Sequence, residues 1–104
     1  MKEAELGIVI ATVVEAEAVK GTNRLHRIRL DIGGGKLIQI ASGVPGDFAP
    51  GFLIGRQVPV QVNVEPIEVR GIRSEARFLT TSGPQQETVL LSPVTPVPAG
   101  SKVW

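Results

Sequence analysis

Arg70, Arg73 and Arg77 recur through the stretch NVEPIEVRGIRSEARF (residues 63–78), and Glu65, Glu68 and Glu75 recur with them. Guanidinium groups bond phosphate oxygens in bidentate fashion, whereas carboxylates repel them. The stretch therefore reads either as a surface for a polyanion or as a mixed-charge strand turned to water. A second cationic stretch lies earlier. Residues 20–36 hold Lys20, Arg24, Arg27, Arg29 and Lys36 against Asp31 alone, a net of +4, with His26 among them. Residues 1–17 hold one lysine and four glutamates, a net of −3. The whole chain comes to only +1, so distribution rather than total charge points to a phosphate partner. The alternative for residues 20–36 is a strand whose long cationic side chains cover its outer face.

Catalytic groups are sparse. His26 stands in the basic stretch with no carboxylate in a recognisable motif near it, and reads as a surface or RNA-facing residue rather than a general base. GGGK (33–36) lacks the second glycine spacing and the following hydroxyl residue of a P-loop. No His, Cys, Asp and Glu fall at metal-ligand spacing, and no serine sits in a nucleophile-elbow motif. The absence of cysteine excludes disulfides, thiolate metal sites and cysteine nucleophiles, and fits a cytoplasmic protein. No catalytic, cofactor or metal residue is assigned, and the chain reads as a binding module, not an enzyme.

The elements that must position these side chains are strands. A length of 104 residues, 42% of them hydrophobic, fits one domain with one core. No apolar run approaches the roughly 18 residues of a spanning helix, and MKEAELGIVI has glutamates where a signal peptide would be basic. LGIVIATVVE (6–15) is apolar on both faces and predicts a long, mostly buried strand. RLHRIRLDI (24–32) alternates, with Ile28, Leu30 and Ile32 opposite Arg27, Arg29 and Asp31. Consecutive glycines make GGGK a hairpin turn, and KLIQIASG (36–43) is its partner strand. DFAPGFLIG predicts one short helical turn plugging a barrel end. RQVPVQVNV (56–64) turns Val58, Val60, Val62 and Val64 inward, with Pro59 marking an edge or a bulge. GIRSEARFLTT (71–81) reads as one strand, with Ile72, Ala76 and Phe78 opposite Arg73, Glu75 and Arg77. TSGPQQE follows as a loop, TVLLS as a short strand and PVTPVPAGSKVW as an extended tail. Five or six short strands with glycine-rich turns predict a small barrel, and the pattern alone does not separate it from a sandwich. Phe48, Phe52, Phe78 and Trp104 are too few for a row of stacked bases. Recognition of a nucleic acid would rest on shape, phosphate contacts and polar hydrogen bonds.

Six segments stand in a familiar order: LGIVIATVVEAE, TNRLHRIRLDIG, IQIASGV, LIGRQVPVQVNVEP, VRGIRSEA and VLLSPVTPVPAGSKVW. From about residue 6 to 104 the chain resembles the tRNA-binding OB-fold family. That family includes methionyl-tRNA synthetase C-terminal domains, free-standing structure-specific tRNA-binding proteins, CsaA-type chaperone-like proteins and the endothelial monocyte-activating polypeptide type domain. IQIASGV is similar to the family's Gln-Ile-Val-Ser-Gly-Ile, and VRGIRSEA to its Leu-Arg-Gly-Val-x-Ser-Glu-Gly.

The resemblance implies an all-β, five-stranded OB-fold barrel over about 6–91 with a Pro-rich extended extension over 92–104, the whole of 1–104 being a single domain. It implies contact with the outer, elbow region of tRNA without selection of one acceptor. Carried over by position, the RNA-binding candidates are Arg24 (where the family has lysine), Ser42, Asn63, Arg70 and Ser74, with Arg27 and Lys36 adding field. Each has a structural alternative: Arg70 and Gly71 as a turn, Ser42 as a strand end, Asn63 bonding backbone groups near Pro66. The departures are Glu65 and Glu68, where the family is basic, and Ala76-Arg77 in place of Gly-Met; Arg77 would partly offset the glutamates. Only five residues precede Leu6, so the helical lead-in that helps relatives dimerise is expected to be missing; the retained tail still implies a homodimer. The alternatives to a tRNA binder are a CsaA-like module for unfolded polypeptide and an assembly domain docking on an aminoacyl-tRNA synthetase.

Overall fold

The computed structural model describes residues 6–43 and 48–104. The acidic start at residues 1–5 and residues 44–47 of the proline- and glycine-rich stretch, including the Asp47 that opens the predicted helical turn, lie outside the described residues. The strands are β1 (Ile8–Ala18), β2 (His26–Asp31), β3 (Leu37–Ser42), β4 (Gln57–Gln61), β5 (Ile67–Val69), β6 (Ile72–Ser74), β7 (Arg77–Phe78), β8 (Thr80–Ser82), β9 (Thr88–Leu90) and β10 (Ser101–Lys102). One helical turn, α1 (Pro50–Leu53), stands between β3 and β4. The main sheet runs β3-β2-β1-β4-β7, with β10 added to β1, and the hairpins β5–β6 and β8–β9 project from it. This is the five-stranded, nearly closed barrel of an OB fold.

β1 does the bending. Its register shifts between Val13 and Glu15, a bulge that sharpens local twist. Its first half pairs with β4 on one edge and β10 on the other, and its second half pairs with β2. Period-two alternation then fills the interior with Ala11, Val13, Ile28, Leu30, Ile38, Ile40, Val58, Val60, Ala76 and Phe78. Leu53 of α1 is fully buried in this cluster, the plug that the helical-turn reading predicts.

Three expectations are corrected. Pro59 is no edge residue: it is buried in β4, between β1 and β7. Leu79 N–H donates to its carbonyl at 3.2 Å, so its missing N–H falls on the side where the short β7 ladder has already ended. Residues 71–81 form three short strands rather than one, because the backbone at Glu75 leaves β6 to bond β3. Thr80–Ser82, assigned partly to a loop, is half of the β8–β9 hairpin.

Candidate nucleic-acid interface

Closure of the barrel occupies two of the residues in the opening stretch. Glu75 N–H donates to Gln39 O at 2.8 Å, the one backbone bond across the gap between β3 and the β6–β7 segment among the described residues. Side chains replace the rest of the ladder. The Glu75 carboxylate accepts from Gln39 N–H at 3.0 Å, Ser74 Oγ accepts from Ala41 N–H at 3.1 Å, and Gln39 Nε2 donates to Arg73 O at 3.0 Å. Ser74 is 5% exposed, so its hydroxyl serves the seam. Glu75, expected on the solvent face, serves it too. Ser74→Ala leaves a buried N–H without its acceptor, and unfolding free energy should fall by about 1–3 kcal/mol. A urea titration reads this as a lower midpoint at unchanged slope; an unmoved midpoint would mean that the Ser74 hydroxyl does not hold the seam.

The basic stretch is neutralised by its neighbour. Arg27 Nε bonds Glu17 at 2.7 Å, its Nη1 donates to Gln39 Oε1 at 3.0 Å and its Nη2 lies 3.7 Å from Glu15. Arg29 lies 3.8 Å from Glu15 as well. The outer face of β1–β2–β3 is thus a charge-paired surface, and Arg27 adds little field. His26, read as a surface residue, is 4% exposed. It falls on the same inward phase as Ile28 and Leu30, and its Nδ1 lies 3.0 Å from Arg24 O.

The other candidates divide into places. Arg24 and Ser42 lie toward the same end of the β2–β3 pair: His26 is the register partner of Ser42, and a Cβ added at Gly43 would lie 4.0 Å from Arg24 Cβ. Arg24 is exposed and Ser42 is buried. Lys36 stands exposed at the opposite end, in the GGGK turn. Asn63 is exposed just past β4, its amide packed over Gly7 where any Cβ would collide. Arg77 is exposed on β7 opposite Gln61.

Arg70 stands at the tip of the β5–β6 arm. Arg70 and Gly71 have φ of +53° and +79° and join Val69 to Ile72 in two residues, the pattern of a type I′ turn. A left-handed conformation costs a non-glycine residue about 1–2 kcal/mol. Among the described residues, Lys20, Lys36, Arg56, Arg70 and Arg77 form no ion pair. No group of three or more His, Cys, Asp or Glu among the described residues could hold a metal ion. No helix among them is long and apolar enough to cross a membrane.

A small OB barrel with a cation-tipped arm and exposed cations on its rims belongs to the class of oligonucleotide-binding β-barrel modules. The family described as "Putative tRNA binding domain" matches residues 8–102, and the chain belongs to that family. A methionine–tRNA ligase from Methanothrix thermoacetophila is 39% identical over 95 residues, covering 91% of this chain and 14% of the ligase. One from Helicobacter pylori is 33% identical over 96 residues, covering 92% of this chain and 15% of the ligase. The chain therefore spans about a seventh of the length of these curated relatives. Among solved structures, a MetRS-related protein from Pyrococcus horikoshii superposes with a TM-score of 0.85 at 25% identity, covering 93% of this chain and 88% of that one. The chaperone CsaA from Bacillus anthracis superposes at 0.82 with 30% identity, covering 93% and 89%.

Proposed function

We propose that the chain binds tRNA through shape and backbone contacts, without catalysing a reaction on it and without selecting one acceptor. The observation that carries this reading is Arg70. A hairpin tip needing two positive φ angles is cheapest with Asn-Gly, yet this chain holds an arginine there whose guanidinium has no ion pair among the described residues. Strain of this kind, shared among the described non-glycine residues only with Gln86, supports a functional role for the guanidinium. Arg24 with Ser42, and Asn63 with Arg77, supply the flanking contacts, and Lys36 adds a more distant charge. The protein works in the cytoplasm as a homodimer, whose two-fold axis would double a modest basic surface. The exposed Leu6 and Trp104 beside Val9, Val62 and Val103 are the apolar groups such a contact would cover. The likeness to methionine–tRNA ligases and to a MetRS-related protein supports a place beside a methionyl-tRNA synthetase.

Arg70→Asn separates function from structure because its two effects have opposite signs. Unfolding free energy should rise by about 1 kcal/mol as the turn relaxes, while tRNA affinity in a low-salt gel shift should fall several-fold. If affinity is unchanged in the stabilised variant, the arm tip is a turn and nothing more.

A second reading has its own support. Ile8, Ile10, Pro59, Leu79, Leu91 and Val103 line an almost wholly apolar groove on the outside of β1 and β4. Such a surface suits unfolded polypeptide, in keeping with the likeness to CsaA. Suppression of aggregation that tRNA does not compete away would favour it.

A further inference from the structure

Phe48, Phe52 and Arg56 form a stack that neither reading uses. The two rings lie 5.3 Å apart between centroids with planes 15° from parallel. Arg56 Cζ lies 3.6 Å from the Phe52 centroid, and its Nε donates to Phe52 O at 2.8 Å. The helical turn sets this geometry: Phe52 N–H bonds Ala49 O at 3.0 Å, Arg56 N–H bonds Leu53 O at 3.1 Å, and buried Leu53 anchors the turn in the core. The guanidinium is thus fixed at a ring face and at Nε. Its terminal amino groups have no ion pair among the described residues. Phe52 nonetheless remains 46% exposed.

Beside the stack lies a groove of about 300 Å³, lined by Phe48, Phe52, Arg56, Val89, Thr88 and Ser92 among others. Its size is that of a single small-ligand site. Ser92 Oγ already donates to Gln57 O at 2.8 Å, so toward a ligand it can only accept. The wall therefore offers ring edges, one guanidinium plane backed by Phe52 and hydroxyl oxygens. Aromatic faces and guanidinium planes are the surfaces on which unpaired bases stack, and a guanidinium fork matches a phosphodiester. A nucleotide carries both complements in one unit.

We propose that this groove is a second ligand site, which takes an unpaired nucleotide at a single-stranded RNA end. The base lies against the Phe52–Arg56 stack and the phosphate meets the Arg56 amino groups. None of these residues is among those the family resemblance marks. The inference rests on the reading of the chain as an RNA binder.

The test titrates a single-stranded RNA pentanucleotide into the isotopically labelled full chain, following the Phe48 and Phe52 ring resonances, Arg56 Nε and the Val89 methyls. Arg56→Lys keeps the charge and removes the plane and fork. Phe52→Leu keeps apolar contact and removes the ring face. Each should weaken pentanucleotide binding about tenfold, with binding of a tRNA stripped of its single-stranded 3′ end unchanged. Equal binding by Arg56→Lys and wild type, or shifts confined to other residues, overturns the proposal. So does a peptide with a free carboxylate moving these resonances when RNA does not. If the stripped tRNA still binds, only the second site has failed; if it does not bind wild type, the tRNA reading itself has failed.

Discussion

Gly100→Ala is expected to lower the unfolding free energy by roughly 3 kcal/mol, from a left-handed backbone term of about 1–2 kcal/mol and a backbone collision. Gly100 has φ of +89°. A Cβ there would run into Ile32 O, and the facing Gly33 has the same relation to Ala99 O. This is the seam where β10 takes over the edge of β1 that β2 leaves at the GGGK turn. Gly100 N–H bonds Ile10 O at 2.7 Å and Val103 N–H bonds Ile8 O at 2.9 Å, so a shift at Gly100 peels β10 away. Gly34→Ala is the matched control, since Gly34 has φ of +62° but nothing within 4 Å of an added Cβ. It should show the backbone term alone. Urea midpoints give the difference, and amide exchange at Gly100 and Val103 should accelerate in Gly100→Ala only. Equal losses in the two variants would mean that the tail is not seated against the barrel.

That seating changes how the tail can be questioned. Gln57 holds Val97 through both ends of its amide, accepting from Val97 N–H at 3.0 Å and donating to Val97 O at 2.6 Å. Deleting residues 93–104 would therefore strip β1 and unsatisfy Gln57, confounding a lost partner with a damaged fold. Trp104→Ala is the cleaner probe of docking, because Trp104 is 69% exposed.

The tail and the charge pairs also mark where the sequence stops being legible. Alternation places Ile28, Leu30, Val58 and Val60 inside without help, because period-two burial is local. The same phase, extended two residues back, puts His26 inside as well, against the expectation that its polarity sets. Summed along the chain, the charge of Arg27 and Arg29 fits a polyanion surface as well as the outer face of a strand; Glu15 and Glu17 reach them only across the β1–β2 register. Ser74 and Glu75 look like outlying polar residues until β3 comes up against them. Pairings set by barrel closure have no signature in the strand that carries them. Arg70 sits between: the Arg-Gly dipeptide reads as a turn, but the strain on the arginine shows only in φ.

The largest functional effect is expected at the arm. Reading residues 65–75 outward, Glu68 is the register partner of Arg73, and Arg73 Nε lies 3.9 Å from the Glu75 carboxylate. Arg73 is thus flanked by two carboxylates, and Arg70 is the arm's one unopposed cation. Glu65 and Glu68 are both exposed, so neither needs its charge for packing. Glu65→Lys with Glu68→Lys turns the net charge of residues 65–75 from −1 to +3. If the arm lies along tRNA, each new lysine releases counterions, and the log–log slope of affinity against salt should steepen by about 1.8. Over a fourfold drop in salt, from about 200 to 50 mM, that is about a twelvefold extra gain for the double variant over wild type. Filter binding at both salts measures it. A parallel upward shift with no change of slope would mean that the lysines make no phosphate contact and act through salt-independent contacts instead. No change at either salt would turn the arm away from RNA and leave Arg24 with Ser42, and Asn63 with Arg77, as the contacts that remain.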